Sequence, residues 1–421
     1  MSSAGATLGD WLARLETFSP REIDLGLERV AAVLERLALP RPELVLHVAG
    51  TNGKGSSVAM AAALLASDGS VVGTYTSPHV SRYNERIRVG GEEASDAEIV
   101  AAFERVDAAR GDTPLTYFEF GTIAALIVFA AREVDVAVLE IGMGGRLDAV
   151  NAVAADAGLI TNVSLDHCDW LGDDIETIAR EKAGIMRAGK PVVFAAHERP
   201  VSIEQAASET GAELIAAGRD YDWLAGQSGW SWQGPTLNLE ALAPPPLKGM
   251  FQVGNAAGVL ALLEAAGRTK LLDTRKVNRA FRGLSLAGRM QHIDGDRHWL
   301  LDVAHNAAAA EVLARQLDQD RIDGSTVAIV GTLDDKDVEG IVRPLVPEVD
   351  HWIAVEVDSP RAIAVDELAR RIANAANTGC LEAESIDAAV TRARELTGET
   401  DRVLVTGSFY LVGPALEALA P

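Results

Sequence analysis

The chain has 421 residues, 48% of them hydrophobic and 24% charged, with a formal net charge of −23. That length exceeds one ordinary core and predicts two domains. The acidity argues against general binding to nucleic acid or to an anionic membrane surface.

No apolar run is long enough to span a bilayer. The N-terminus lacks the basic start and apolar core of a secretory signal. Cys168 and Cys380 stand far apart and form no disulfide or zinc pattern, which suits a reducing cytoplasm. In chain order, a helix is expected over 21–37 and a strand over 44–49. The segment Leu44 to Ser57, LVLHVAGTNGKGSS, then runs from apolar strand into a glycine-rich turn containing Gly50, Thr51, Asn52, Gly53, Lys54, Gly55 and Ser56. A helix over 54–67 follows at once. Strand, glycine-rich loop, lysine and helix in that order form a polyphosphate cradle: glycines let backbone N–H groups approach, and the helix start and Lys54 supply positive charge. The loop departs from the usual P-loop because the hydroxyl after the lysine is displaced by one residue, to Ser56. A glycine-rich turn with a surface lysine is the alternative.

Further strands are expected over 71–76, 135–140, 157–163 and 190–195, and helices over 96–109, 118–133 and 174–187. This alternation predicts a mainly parallel sheet with helices on both faces. Residues 212–250, with Trp223, Trp230, Trp232 and three consecutive prolines, read as short antiparallel strands and loops. Helices near 254–266 and 273–282 lead to GLSLAGR at 283–289, taken as the boundary between a domain over 1–286 and another over 287–421. There the alternation restarts, with strands at 298–303, 325–330, 351–357 and 402–406 and helices at 306–318, 336–345, 364–375, 386–396 and 411–419. The fold class is α/β: a P-loop-containing, mainly parallel domain and a smaller Rossmann-like one.

Ligands of open α/β sheets bind beyond the carboxyl ends of the strands. Ser77, Glu140 and His167 each follow or end a predicted strand, so they could converge on one metal; a hydroxyl, a carboxylate and an imidazole beside polyphosphate favour Mg²⁺. Singly, each is as readily a turn cap, a satisfied carboxylate or a partly buried histidine. Lys182 falls inside the apolar stripe Ile175, Ile178, Ala179, Ala183, Met186, with no carboxylate three or four residues away. It either snorkels to solvent or is a phosphate-binding or chemically modified amine. Arg82, Arg86 and Arg88 either hold an anionic substrate or decorate a solvated loop. Asp302 and His305 lie at another strand end, and Thr406-Gly407-Ser408 precedes the last helix.

GTNGKGS (50–56), YTSPH (75–79), NERIRV (84–89), EIGMGGRLDAVN (140–151), LDHCDWLG (165–172), EKAGI (181–185), LDVAHN (301–306) and TGSFYL (406–411) occur in order. Together they resemble the dihydrofolate synthase/folylpolyglutamate synthase family, within the Mur-ligase-like ATP-dependent amide ligases. The resemblance spans essentially the whole chain. It implies that ATP and Mg²⁺ activate a carboxylate as an acyl phosphate, which the amine of L-glutamate attacks. It implies Lys54 and Ser56 on the ATP phosphates, Ser77, Glu140 and His167 on Mg²⁺, and a carbamylated Lys182 on a second ion. Asn255 would contact adenine, Arg289 phosphate and Asp302 the ribose, with His305 near the reacting centre and Ser408 and Tyr410 holding glutamate. Thr116, Phe118 and Asp148 match a pterin pocket, which favours dihydropteroate as well as reduced folates as substrates over the alternative of a folylpolyglutamate synthase alone; Phe118 is equally explicable as core packing. The resemblance also implies a monomer. A Mur-like ligase for another carboxylate would normally carry an extra N-terminal domain, and only about forty residues precede the first strand. A regulator that had lost ligation would lack Lys54, Glu140, His167 or Lys182, and all four are present.

Overall fold

The computed structural model describes residues 5–18, 24–226, 228–249 and 251–420. The start of the helix expected over 21–37 lies outside them at 21–23; its described helix is Glu28–Leu37. The chain divides into two compact units. One holds Met1–Val163, Asp174–Pro245 and Val253–Leu284, the other Ser164–Asp173, Pro246–Gln252 and Ser285–Pro421.

In the first unit, β1 (Leu44–Ala49), β2 (Val72–Tyr75), β3 (Ile87–Val89), β4 (Glu92–Glu93), β5 (Val136–Glu140), β6 (Ala157–Ile160), β7 (Pro191–Phe194) and β8 (Glu213–Ala216) form one sheet in the order β4-β3-β2-β5-β1-β6-β7-β8. β2, β5, β1, β6, β7 and β8 are parallel, and β3 and β4 add an antiparallel edge. All six β1 residues are buried and all but His47 are apolar, so this strand reads as a near-continuous apolar run and not as an alternation. Register pairs Val48 with Glu140 and Ala49 with Ile160, which brings the ends of β5 and β6 level with the start of the glycine loop.

Several elements differ from their expected bounds. Strand 157–163 stops at Ile160 because the Thr161 and Asn162 side chains turn to the loop and hydrogen-bond to the Asn52 carbonyl. Helix 174–187 is Ile175–Ala183; the Gly184 N–H closes its end on the Glu181 and Lys182 carbonyls, and a Cβ at Gly184 would lie 2.3 Å from the Arg146 Cα, so only glycine fits that close approach. Residues 213–216 are not part of an antiparallel region: β8 pairs parallel with β7. Only β9 (Asp222–Ala225), β10 (Trp230–Gln233) and β11 (Asn238–Leu242) make the small antiparallel sheet.

The second unit is built on β12 (Gln291–Asp294), β13 (His298–Asp302), β14 (Thr326–Val330), β15 (His351–Val355), β16 (Cys380–Ala383) and β17 (Arg402–Thr406), in the order β12-β13-β17-β14-β15-β16. β12 is antiparallel to β13, and the rest are parallel. Asp302 pairs with Thr406, so the ends of β13 and β17 lie side by side.

Candidate active site

The glycine loop is a closed structure with a glycine requirement at two points. Gly50 has φ 140°, and a Cβ there would sit 1.8 Å from Thr161 Oγ1; Gly53 has φ 84°, and its Cβ would sit 2.5 Å from Asn255 Oδ1. Thr51 N–H donates to the Asn162 carbonyl at 3.0 Å, and Asn52 N–H to Asn162 Oδ1 at 3.1 Å. Gly53 caps the helix Lys54–Ala66, whose first turn presents Ser56 and Ser57. Lys54 Nζ curls back to the carbonyls of Gly50 at 3.2 Å and Thr51 at 3.1 Å. A cation is therefore held against the loop at a helix N-terminus, where an anion is favoured.

Glu140 is buried at the end of β5, and its Oε2 accepts the Ser77 N–H at 3.2 Å. Gly55 abuts the same carboxylate: a Cβ on it would lie 3.7 Å from Oε2. Lys182 is 4% exposed and does not snorkel; its Nζ donates at 3.0 Å to the Gly50 carbonyl, which also accepts from Lys54. The structure thus brings Ser77, Glu140, Lys54, Ser56 and Lys182 to one sheet edge of the first unit.

Thr116 caps the helix Tyr117–Ala131 in a capping box with Glu119, and the buried Glu119 is paired to Arg29 at 2.9 Å. Phe118 projects from that helix against Gly142, where a Cβ would come within 2.6 Å of its ring, and its ring centroid lies 5.9 Å from that of Tyr75. Asp148 is buried and accepts the N–H groups of Met143 and Val150, each at 2.9 Å. Burial pushes its carboxyl up to about 7, against the opposing pull of those N–H groups and of the Lys54 charge. Arg82 is different: its side chain is 64% exposed and lies near Asn84 and Asp96 at 3.5 and 3.6 Å. The buried arginine of that segment is Arg86, which donates to His79 Nδ1 at 2.8 Å.

In the second unit, Asp302 accepts the N–H groups of Met290 and Ala304, each at 2.9 Å. Burial raises its carboxyl, opposed by the charge of Arg289. The Arg289 guanidinium lies 4.9 Å from the Phe409 ring centre. His305 Nδ1 faces the Val303 carbonyl at 2.9 Å. Ser408 caps the helix Phe409–Ala418, whose Tyr410 is 44% exposed. His167, on the segment Ser164–Asp173, belongs to this unit and has a left-handed φ of 52°.

Sequence reasoning missed Lys336. It is buried and paired at 2.6 Å with Asp166, which also receives Asn306 Nδ2 at 3.0 Å. Burial alone would raise the Asp166 carboxyl, but the hydrogen bond from His305 and the charges of His305, His167 and Lys336 hold it far below the usual carboxylate range. The only signal in the sequence was a lysine between two aspartates after a strand, which reads as a solvated turn. Among the described residues no group of three or more His, Cys, Asp and Glu gathers as a metal cluster, and no helix is long and apolar enough to cross a membrane.

Residues 48–263 match the Mur ligase middle domain, and residues 288–409 match the Mur ligase glutamate ligase domain. A dihydrofolate synthase/folylpolyglutamate synthase of Escherichia coli is 38% identical over 417 residues, covering 99% of this chain and 96% of that protein. The solved structure of E. coli FolC in complex with DHPP and ADP superposes with a TM-score of 0.93 at 37% identity, covering 100% of this chain and 99% of that one. The Yersinia pestis bifunctional folylpolyglutamate synthase/dihydrofolate synthase, complexed with AMPPNP and Mn, does so with a TM-score of 0.91 at 39% identity, covering 100% and 99%. With its two matched domains and its full-length relatives, the chain belongs to the Mur ligase family, in the dihydrofolate synthase/folylpolyglutamate synthase branch.

Proposed function

We propose that this protein joins L-glutamate to 7,8-dihydropteroate, forming dihydrofolate, and to the γ-carboxyl of reduced folates, with ATP as the activating substrate. The observation that carries the reading is the glycine loop of the first unit, with Lys54 and Lys182 both donating to its Gly50 carbonyl and Glu140 beside it, in a chain similar over its full length to enzymes of that name. A carboxylate is a poor acylating group because oxide would have to leave. The substrate carboxylate oxygen takes the ATP γ-phosphoryl group and ADP leaves with the P–O electron pair; the neutral glutamate amine attacks the acyl phosphate's carbonyl carbon, phosphate departs with the C–O electron pair, and the amine nitrogen gives up a proton as the amide forms.

The chain's own residues supply positioning and charge. Lys54, Ser56 and the loop N–H groups hold the triphosphate and offset its repulsion toward the incoming carboxylate. Ser77, Glu140 and His167 are the proposed Mg²⁺ ligands; the buried Glu140 oxygens beside the loop are hard donors of the kind Mg²⁺ takes. The bound metal supplies charge neutralisation at the phosphates. Lys182 is the proposed site of carbamylation, in which its uncharged amine adds to CO₂ and releases a proton, giving an anionic oxygen donor for a second ion. Asn255, Arg289 and Asp302 hold the nucleoside and phosphates, and Thr116, Phe118 and Asp148 receive the pterin. Ser408 and Tyr410 hold the glutamate, His305 lies near the reacting centre, and Arg82 offers an exposed cation to the polyanionic folate tail. The protein works as a monomer in the reducing cytoplasm, in keeping with its two free thiols.

The test is product mass after incubation with ATP, Mg²⁺, L-glutamate and either dihydropteroate or tetrahydrofolate. A gain of one glutamate on both is expected. A gain on tetrahydrofolate alone removes the pterin assignment of Thr116, Phe118 and Asp148, and no gain on either overturns the reading.

A further inference from the structure

The carboxylate of Asp166 is a hub. Oδ1 accepts from Lys336 Nζ at 2.6 Å and from the backbone N–H of His167 at 2.9 Å. Oδ2 accepts from Asn306 Nδ2 at 3.0 Å and lies 3.5 Å from His305 Nε2. These partners come from separate stretches of the second unit: the Ser164–Asp173 segment, the cap of the helix Ala307–Gln319, and the turn before the helix Val338–Leu345. Asp166, Lys336 and Asn306 are all buried.

Stability is a weak reason for such a pair, because desolvating two charges offsets most of their attraction and apolar replacements are often neutral. Its place in the site is a better one. Three of the four partners are His167, assigned to the metal, His305, assigned to the reacting centre, and Asn306, the neighbour of His305. An imidazole turns freely about its outer torsion, so it needs hydrogen bonds to fix its plane, and partners behind a metal-binding or reacting histidine set its direction. The Val303 carbonyl holds one side of the His305 ring and Asp166 the other. His167 sits in the left-handed region that disfavours non-glycine residues, and the Asp166 bond to its N–H fixes the backbone there.

We propose that Asp166 is a positioning residue of the ligase, anchored by Lys336, which sets the backbone of His167 and the ring of His305. The inference rests on the functional reading above. Asp166→Glu keeps the charge for Lys336 but moves the carboxylate by one methylene, and Asp166→Asn combined with Lys336→Met removes both charges. Both variants are expected to melt within a few degrees of wild type, to lose about 10- to 100-fold in kcat with the KM for ATP little changed, and to bind Mn²⁺ about tenfold more weakly, titrated directly in the presence of ADP. If Asp166→Glu keeps wild-type kcat and Mn²⁺ affinity, the proposal is wrong. The same holds if the double variant recovers both along with its melting temperature, because the pair would then be structural only. Should the double variant not fold, Asp166→Glu decides alone. A wild-type protein that binds Mn²⁺ and ADP but makes no glutamylated product would sink the functional reading, while the Mn²⁺ titration would still judge the positioning role.

Discussion

His47 sits at the centre of β1, fully buried, and neither ring nitrogen has a hydrogen-bond partner among the described residues. Burial, with the charge of Arg187, lowers its pKa to about 3. The unfolded chain therefore binds a proton that the folded one refuses, so stability present above about pH 6.5 is lost as pH falls toward 3. His47→Leu is expected to gain about 1 kcal/mol at neutral pH by removing an unsatisfied polar group, and to shift acid unfolding to lower pH in a denaturation series. Asp148 has the opposite sign. Its folded pKa of about 7 exceeds the unfolded value of about 4, so the folded state holds the extra proton between them and stability falls as pH rises across that window. Without ligands, the wild-type melting temperature should decline relative to Asp148→Asn from about pH 4 to about pH 7. Parallel curves would mean the carboxyl is not shifted.

At the scale of elements, one residue serves two ends. Thr116 is the cap of the helix that carries Phe118, and it is also a proposed pterin contact. Thr116→Val should cost about 1 kcal/mol in urea unfolding through loss of the cap. Thr116→Ser retains the capping oxygen and should restore that stability. If Thr116 touches substrate only by holding the helix start, Thr116→Ser restores the KM for dihydropteroate as well; a KM that stays raised shows a direct contact of the lost methyl. Elements were legible where periodicity was strong. β1 was read at its observed limits, while β3, β4 and β16 were missed because strands of two to four residues carry no repeat to read. The helix Leu8–Phe18 was also missed, although Trp11 and Leu15 are buried on one face at helical spacing.

For the molecule as a whole, a ligand that binds only the folded state must stabilise it by mass action. ADP with Mg²⁺ at a hundred times its Kd should add about 2.7 kcal/mol, visible as a raised melting temperature. Lys54→Ala should abolish most of that rise and lower kcat/KM by about 100-fold or more, while the unliganded protein melts as wild type. An unchanged ligand shift in Lys54→Ala would remove this lysine from the nucleotide site.

The sequence by itself determined the α/β class, the positions of the main strands along the chain, the glycine loop and the family, because these depend on local periodicity and on contiguous motifs. Lys54 and the Gly50 and Gly53 turns could be read from one segment. The rest depended on residues far apart in the chain meeting in space. Whether Lys182 snorkels was open until Gly50, 132 positions away, proved to accept its hydrogen bond. The Asp166–Lys336 pair spans 170 positions and left no pattern in either segment. A buried charge needs a partner, but the sequence does not say which one, since only the packing of the chain brings the two into reach.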